Sequence, residues 1–380
     1  MLNLIELMNE IERRRDELRR ESIEASEECK KYRERLDEIE YWEEGEVPDY
    51  IGAIPIEDGK VIKRFEVEWE KRDDALEWMD KVLSKVKVGA VDGSQIYPTQ
   101  NLRYGLVQTG FVINYHDGNT DSQTHVHLIT PNDFEAHRVY AYSKELTDAM
   151  RFEKECGEVE ALLSKDITTF FDGSLVVSHA NSLNESIRNI YINSILKLLD
   201  SSEKQNGIFC GYIDTPHARD VVSFMSNTMG LSSTRLTDAF LFGLMEWGDR
   251  SKVFLCDRDD RRYGLGRDTT RSLSTLDRYG KWKRGVAFFY ISLNRHLPSR
   301  VEFPVWIHER GLTDTLADVV RAESLIRGDY PDILMRAHRE VLIKTREHKL
   351  FEDLLRKVME DGVGAKEFYR AKEFYKRYGV

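Results

Sequence analysis

Two apolar runs in this sequence end in the same tripeptide, Asp-Gly-Ser. VKVGAVDGSQIYP occupies residues 86–98 and TTFFDGSLVVSHA occupies 168–180, so the two acidic side chains are Asp92 and Asp172. Two carboxylates held close together repel each other unless a cation lies between them, and oxygen ligands favour Mg²⁺ or Mn²⁺. The repeated tripeptide therefore predicts a divalent metal site, provided that the fold brings the two runs together.

The alternative interpretation of each tripeptide is a tight turn, because Asp-Gly is a favoured pair in β-hairpins. For either copy taken alone, the turn is the better interpretation. The second copy favours the metal site, since FFDGSLVVSHANSLNES leads into a helix and does not return as a hairpin. Ser94 and Ser174 are interpreted as residues that close the turns, with a hydroxyl contact to water at the metal as the alternative.

The order of the predicted elements indicates a fold that brings the two aspartates together. A short amphipathic helix at about 70–86 is followed by predicted strands at 86–91, 103–115 and 124–130. Helices and strands then alternate: helix 133–165, strand 167–171, helix 183–200 and strand 207–213. This order is typical of an α/β fold with an RNase H-like mixed β-sheet flanked by helices, in which the first strand lies beside the later parallel ones.

Composition divides the chain into four segments. The N-terminal segment is rich in Glu, Arg and Lys, and such a helical arm cannot bury itself, so it is expected to dock a partner or a second copy. A linker with the short helix, the mixed domain and a C-terminal helical tail follow. The predicted bounds are 1–45 for the arm, 46–85 for the linker and short helix, 86–345 for the domain and 346–380 for the tail.

The overall composition is that of a globular protein. The chain has 380 residues, of which 41% are hydrophobic, and a formal net charge of −11, which argues against a protein that coats nucleic acid over its whole surface. The sequence shows no run of about 18 apolar residues and no signal peptide, so a cytoplasmic location is expected. The four cysteines are widely separated and are interpreted as reduced thiols: Cys29, Cys156, Cys210 and Cys256.

One stretch, residues 258–284, is an exception to the acidic composition. It carries nine Arg or Lys against four Asp, with Tyr263, Tyr279 and Trp282 interleaved. Cations can neutralise phosphates while bases stack on aromatic rings, although a solvated loop has the same composition. The candidate DNA-binding residues are Arg258, Arg261, Arg262, Tyr263, Arg267, Arg271, Lys281, Trp282 and Lys283.

Four motifs in a fixed order resemble a known family. They are AVDGS at 90–94, FFDGSL at 170–175, RVEFPVW at 300–306 and DYPDILMRAH at 329–338. Together they are similar to the NurA family, nucleases that partner the HerA hexameric translocase in processing DNA ends. The resemblance covers about residues 85–345, and the ordered set is more specific than any single motif.

The resemblance implies a set of catalytic residues. The two catalytic aspartates of the family fall on Asp92 and Asp172, and its metal-binding glutamate falls on Glu155. The competitors for that position, each of which could instead belong to a solvated helix face, are Glu153, Glu158 and Glu160. A tyrosine and a histidine near the C-terminal end of the family pattern fall on Tyr330 and His338, for which a structural role is the alternative.

The resemblance also implies ions, partners and an activity. It implies Mn²⁺ or Mg²⁺, two ions per site, held by Asp92, Glu155 and Asp172. It implies a homodimer seated on a HerA-type hexameric ATPase, acting on DNA ends as a 5′–3′ exonuclease and single-strand endonuclease in recombination repair or phage defence. Two other classes stay open: an actin-like ATPase or sugar kinase, and a non-catalytic clamp for a DNA motor.

The sequence departs from the family pattern after the strand that follows FFDGSL. Many relatives carry a lysine there, whereas this chain reads CGYIDTPHARD. Asp214 and His217 are therefore either additional site residues or the start of a helix, since Asp-Thr-Pro is a common helix N-terminus.

Overall fold

The structure, a computed structural model, describes residues 2–42, 48–99, 102–140, 142–232, 235–261, 273–294 and 296–360. The strands are β1 Gly52–Pro55, β2 Ile62–Lys63, β3 Lys87–Ile96, β4 Gly105–Asn114, β5 Thr120–Ile129, β6 Ile167–Asp172, β7 Phe209–Ile213, β8 Arg250–Ser251, β9 Phe254–Asp257, β10 Val286–Ile291 and β11 Ser299–Pro304. The helices are α1 Leu4–Arg13, α2 Arg15–Glu34, α3 Arg72–Leu83, α4 Pro131–Ala136, α5 Lys144–Leu163, α6 Glu185–Gln205, α7 Asp220–Met229, α8 Asp238–Leu241, α9 Val305–Glu309, α10 Thr313–Leu325, α11 Asp332–Val341 and α12 Thr345–Glu360.

The described strands form one mixed sheet with the predicted core at one end. Its order is β1-β9-β10-β11-β7-β6-β3-β4-β5, and β8 pairs with both β2 and β10. β3 is antiparallel to β4 and parallel to β6, and β6 is parallel to β7. The first long strand therefore lies in the centre of the sheet beside the later parallel strands, which confirms the predicted α/β fold with a mixed sheet flanked by helices.

The first Asp-Gly-Ser lies inside a strand, not at its end. β3 continues to Ile96, and its register with β4 includes Asp92↔Gly110 and Ser94↔Gln108. The prediction that the strand stops at residue 91 is wrong, as is the turn interpretation of this copy. The long ladder with β4 holds the tripeptide in an extended conformation. The local preference of Asp-Gly for a turn is therefore overridden by tertiary pairing.

The segment predicted to be a linker contributes two strands to the sheet. β1 is fully buried and pairs antiparallel with β9, and β2 pairs with β8. Both strands are short, and β1 ends in a proline, so the sequence alone lacks the alternation that identifies longer strands. Residues 48–85 are therefore part of the same body as the domain that follows.

The predicted helix 133–165 is divided into α4 and α5. Thr130 and Asp133 form a capping box at the start of α4, with Pro131 at its first position. α5 begins afresh after Ser143, whose side chain accepts a hydrogen bond from the Leu146 N–H. Each helix thus has its own N-terminal signal, and these capping signals show where the predicted single helix divides.

The N-terminal arm is only partly free of the body. α1 has no buried residue, whereas Tyr32 in α2 and Leu36 and Ile39 after it are at most 3% exposed and belong to the hydrophobic core. Arg33 donates hydrogen bonds to the carbonyls of Phe240 and Leu241. The C-terminal part of the predicted arm, about 29–39, is therefore a structural element of the domain.

Three further predictions concern the termini and the cysteines. The tail forms α12 as far as Glu360, and residues 361–380 lie outside the described residues. The four cysteines are free thiols, as predicted, and three of them are buried. In the described part of the chain, none of the helices combines the length and apolar character needed to cross a membrane.

Candidate active site

The sheet places the two motif aspartates on adjacent parallel strands. Val91 of β3 is paired with Phe171 of β6, and Asp92 and Asp172 are the next residue of each strand. Asp92 is 8% exposed, whereas Asp172 ends β6 and lies at the surface. The sequence-based expectation that the two carboxylates occupy one site agrees with this register.

Gly93 lets a third carboxylate reach the same place. Side chains alternate along a strand, so Gly93 faces α5 while Asp92 faces α11. A Cβ at Gly93 would lie 2.5 Å from Oε1 of Glu155, which is 3% exposed and lies on α5. Only glycine leaves room for the Glu155 carboxylate against the backbone of β3.

The other three glutamates of α5 lie elsewhere. Glu153 is exposed beside Lys154. Glu158 accepts hydrogen bonds from Thr109 and lies 2.6 Å from Nδ1 of His125. Glu160 pairs with Lys197 at 2.6 Å and accepts a hydrogen bond from Ser201. Glu155 is therefore the helix glutamate that adjoins the two aspartates.

α11 brings His338 to Asp92 from the other face of the sheet. Nδ1 of His338 lies 2.8 Å from Oδ2 of Asp92, and the His338 side chain is 56% exposed. The end of α11 is fastened to the sheet, because the Ser94 hydroxyl and the Gln108 amide both donate to the carbonyl of Val341. The His338 side chain does not pack among the apolar residues of the helix, whereas a hydrogen-bonded structural role stays an alternative to a catalytic one.

The third residue of the first tripeptide therefore anchors the helix that carries the histidine. Asp92 supplies a carboxylate, Gly93 admits Glu155, and Ser94 holds the end of α11. The turn-closing role predicted for Ser94 is wrong, because the backbone is extended at this point.

Tyr330 reaches the site from outside the helix. α11 begins at Asp332, so Tyr330 precedes the helix that carries His338. The ring of Tyr330 packs edge-on against Tyr212 of β7, with 5.2 Å between ring centroids. Burial raises the pKa of the Tyr330 hydroxyl, and the nearby charge of Asp172 raises it further. The hydroxyl therefore keeps its proton at neutral pH.

The second Asp-Gly-Ser is a loop held by the RVEFPVW strand. Gly173 has φ +143°, and after it Ser174 donates a hydrogen bond to Glu302 of β11. The same Glu302 carboxylate accepts the backbone N–H of Leu175 at 2.7 Å, and it pairs with Arg300 at 2.8 Å. Glu302 thus fixes the chain that leaves Asp172, which explains the loop-closing role of Ser174.

Burial and mutual repulsion both raise the pKa values of the cluster. The pKa of Glu155 is raised to about 8, chiefly by burial; Arg151 opposes this shift, and Asp92 contributes to it. The pKa of Asp172 is raised to about 6, first by burial and then by the charge of Asp92. Asp172 retains exposed surface at the end of β6, so its burial is partial. A cation near these groups would relieve both effects.

The donor set fits a hard divalent cation. Three carboxylates whose charges oppose one another offer the oxygen ligands that Mg²⁺ and Mn²⁺ prefer. Among the described residues, no three acidic, histidine or cysteine side chains converge closely enough to form a ready coordination sphere. Glu155 is held by Arg151 at 2.6 Å and Asp92 by His338, so side-chain rotation would have to accompany binding of an ion.

Sequence reasoning did not identify Arg151 or Glu302 as site residues. Arg151 stands four residues before Glu155, a spacing that pairs opposite charges on one helix face and is visible in RFEKE. Glu302 carries no local signal of its contacts to the loop after Asp172, because Ser174 and Leu175 lie more than 120 residues away along the chain.

The aromatic residues of 258–284 that the structure describes are buried. Trp282 is 5% exposed and donates its Nε1–H to Asp200, and Tyr279 is 1% exposed and donates to the carbonyl of Leu175. Neither ring is accessible to a base, so the stacking role predicted for these two rings is wrong. Both rings belong to the core.

The described cations among the DNA-binding candidates each pair with a carboxylate. Arg258 binds Asp220 through two nitrogens, at 2.9 and 2.6 Å. Arg261 pairs with Asp259, Lys281 with Asp200, and Lys283 with Asp49. Arg262, Tyr263, Arg267 and Arg271 lie outside the described residues.

Asp214 and His217 follow β7 but do not begin a helix. α7 starts at Asp220, so the helix N-terminus predicted at Asp-Thr-Pro is wrong. Asp214 is exposed and near enough to contribute to the raised pKa of Asp172, after burial and Asp92. It therefore lies at the border of the carboxylate cluster.

Comparison with known proteins identifies the family and the fold of the chain. The family model described as the NurA domain matches residues 86–343. The crystal structure of the NurA nuclease from Sulfolobus solfataricus aligns with a TM-score of 0.51 and 16% sequence identity, covering 78% of this chain and 94% of that chain. At this identity the likeness shows the fold. No curated protein sequence matches the chain.

Proposed function

Because the chain belongs to the NurA family, we propose that it is a divalent-metal-dependent DNA nuclease that hydrolyses phosphodiester bonds. The observation that carries the proposal is the Val91–Phe171 pairing, which sets Asp92 and Asp172 side by side, with Glu155 reaching them past Gly93. Paired acids of this kind on a rigid sheet can hold the divalent ions that two-metal phosphodiester hydrolysis uses.

The three carboxylates have one role in this proposal. Asp92, Glu155 and Asp172 would hold Mn²⁺ or Mg²⁺, with two ions expected. When bound, such ions neutralise charge on the phosphate and activate the attacking water. Mn²⁺ is expected to support activity at least as well as Mg²⁺, because Mg²⁺ demands near-ideal octahedral geometry.

His338 and Tyr330 handle protons in this proposal. Asp92 as a carboxylate can only accept a hydrogen bond, so Nδ1 of His338 carries the proton that they share. The other ring nitrogen, Nε2, can take a proton from water or give one to the leaving oxygen. Tyr330, with its raised pKa, donates a hydrogen bond to the phosphate or to the water.

The two other classes receive less support. An actin-like phosphotransferase needs a loop that wraps a phosphate, whereas Asp92–Ser94 are extended and paired with β4. A clamp for a DNA motor would need no paired acids. The proposal further includes a homodimer, partnership with a HerA-type hexameric ATPase, and 5′–3′ exonuclease and single-strand endonuclease activity in recombination repair or phage defence. The family supports these details, and each needs its own test.

The test is hydrolysis of linear DNA with Mn²⁺ by purified variants. D92N, D172N and E155Q should each lose at least about 10²-fold in rate, because the amide keeps the shape but not the charge that holds the ions. E153Q is the matched control on the same helix and should keep wild-type activity. Wild-type rates in D92N, at unchanged thermal stability, would refute the proposal.

A further inference from the structure

One face of α5 leads away from the carboxylate cluster. Lys144, Asp148, Arg151 and Glu155 recur at spacings of four, three and four residues, so they form a single stripe. The stripe runs along β3. Tyr97 donates to Asp148 at 2.7 Å, and Nζ of Lys144 lies 5.3 Å from the centre of the Tyr97 ring. From Glu155 to Lys144 the helix rises by about 16 Å, which is the span of a few nucleotides.

Arg151 stands at the catalytic end of this stripe. Its side chain is 30% exposed, and its Nη1 is shared between Glu155 at 2.6 Å and the Gly93 carbonyl at 3.4 Å. Within the described residues its buried Nε has no hydrogen-bond partner. A guanidinium has five N–H donors, so Arg151 has capacity to bind a phosphate beside Glu155.

Two exposed tyrosines precede the N-terminus of α5, the end of the helix that lies away from Glu155. Tyr140 is 79% exposed and Tyr142 is 43% exposed, and their rings stack at 6.3 Å between centroids with 21° between planes. They directly precede Ser143, which caps α5. Exposed aromatic rings beside cations are the features on which single-stranded nucleic acids bind, because every base has a face that can stack.

We propose that this face of α5, from Arg151 to the Tyr140–Tyr142 pair, binds a single strand of DNA that leads to the carboxylate cluster. Arg151 binds a phosphate next to the cluster, and the tyrosines stack an unpaired base at the far end. The Asp148 carboxylate accepts hydrogen bonds from Tyr97 and Gln95, which hold it against the end of β3. The proposal adds a substrate-binding surface to the proposed nuclease. It rests on that function, because the strand is taken to lead to the carboxylate cluster.

The occupant is a single strand because a base in a duplex is already stacked on both faces and cannot pack on Tyr140 or Tyr142. The acidic protein, with a net charge of −11, offers no general attraction for DNA, so binding depends on local contacts of this kind. The described tyrosine and tryptophan of 258–284 are buried and cannot serve instead.

The test measures fluorescence anisotropy of labelled oligothymidylate on the full-length protein in EDTA, where no hydrolysis occurs. Y140A/Y142A should bind about tenfold more weakly, Y140F/Y142F should bind as the wild type does, and blunt duplex binding should change less than twofold. Y41A removes another exposed tyrosine and serves as the control, since Tyr41 is 47% exposed.

The role of Arg151 is tested by the salt dependence of DNA binding, which a purely structural role would not alter. R151Q should lower the slope of log affinity against log salt by about 0.7, as expected when one phosphate contact is lost from a single strand. K154Q removes a positive charge from the same helix and should leave the slope unchanged. R151Q should also bind Mn²⁺ at least as tightly as the wild type, because it removes a cation beside the ligands.

A third measurement needs no variant. Photocrosslinking of oligonucleotides that contain 5-iodouracil to the wild-type protein should label Tyr140 or Tyr142. Any of three results would overturn the proposal. They are wild-type affinity in either Y140A/Y142A or R151Q, a change in oligomeric state as the sole effect of the tyrosine variant, and crosslinks confined to other residues. Because binding is measured without hydrolysis, a protein that binds as expected but never cleaves DNA would refute the nuclease function and not the strand-binding face.

Discussion

At the scale of single residues, Gly93 controls whether Glu155 belongs to the site. In G93A the new Cβ would meet Oε1 of Glu155 at 2.5 Å and Cγ of Arg151 at 3.0 Å, both of which are parts of flexible side chains. The fold should tolerate the change, whereas the Glu155 carboxylate must move away from the aspartates. We therefore expect hydrolysis with Mn²⁺ to fall by about tenfold or more, with a melting temperature close to that of the wild type.

The matched control for G93A is G157A on the same helix. In the described structure, a Cβ at Gly157 meets nothing within 4 Å. Replacing an exposed helix glycine with alanine should raise stability by about 0.5–1 kcal/mol and leave hydrolysis unchanged. Equal activity of the two variants in a steady-state assay would show that Glu155 does not need its place against β3.

The raised carboxyl pKa values make stability depend on pH. For an acid whose pKa is higher in the folded protein, the stabilising contribution is present below the unfolded pKa and lost as pH rises through the folded value. Asp172 has a folded pKa of about 6 and Glu155 of about 8. In EDTA, the melting temperature should therefore fall as pH rises from about 5 to about 8.

E155Q should remove much of this fall, because the amide stays neutral over the whole range. Its melting temperature should exceed that of the wild type at pH 8 by a few degrees and approach it near pH 5. Thermal unfolding monitored by circular dichroism across this range measures the difference. A wild-type melting temperature that does not change with pH, or a variant with the same fall, would contradict the raised pKa assigned to Glu155.

At the scale of elements, a buried chain of charges connects β11 to the loop that follows β6. Glu302 binds the loop after Asp172, Arg300 pairs with Glu302 and with Asp220, and Arg258 pairs with Asp220. Arg300 is 1% exposed and its guanidinium also stacks on Phe288, with 3.6 Å to the ring centre. Buried ion pairs add little net stability but define one arrangement, because any other leaves a buried charge without a partner.

This chain of charges accounts for one motif and for the partner of one predicted DNA-binding cation. RVEFPVW carries Arg300 and Glu302 on alternate positions of β11, so both point to the same face of the sheet. Arg258 looks like a DNA-binding cation in sequence, but its partner Asp220 lies 38 residues away along the chain. Ion pairs between distant residues leave no pattern in the sequence, so composition alone places such cations on the surface.

The place of β3 beside the parallel strands β6 and β7, and with it the Asp92–Asp172 pairing, was predictable because it follows from hydrophobic patterning and from the rules of parallel sheets. Glu155 and His338 came from the resemblance to a family, since helical spacing alone cannot separate Glu155 from Glu153. The length of β3 was not predictable, because Asp-Gly favours turns locally and only the ladder with β4 overrides that preference.

At the scale of the whole molecule, the N-terminal arm divides into an anchored part and an unpartnered part. α1 exposes apolar side chains at helical spacing, and their exposed fractions are large: Leu4 63%, Ile5 76%, Leu7 39%, Met8 70% and Ile11 50%. In contrast, Tyr32 is 1% exposed and bonds Ser226 through its hydroxyl. An apolar stripe of this kind is typical of a surface that another protein covers.

The division determines how the arm can be tested. Removing residues 2–20 deletes α1 and the first part of α2 but keeps the core contacts of Tyr32, Leu36 and Ile39. This truncation should melt within a few degrees of the wild type, keep intrinsic hydrolysis of linear DNA, and bind a HerA-type ATPase at least about tenfold more weakly, because the apolar stripe is lost. Size-exclusion chromatography with light scattering and a binding titration measure both effects.

The matched comparison is the deletion of residues 2–42, which also removes Tyr32, Leu36 and Ile39. The loss of each large core side chain lowers the free energy of unfolding by about 2–5 kcal/mol, so this longer truncation should unfold or aggregate. Only the shorter one can report on docking. If it binds the ATPase with unchanged affinity but elutes with half the mass, the stripe is a dimer interface. If mass and affinity both stay unchanged, α1 has no part in assembly, and the partner must contact a surface formed by the folded domain itself.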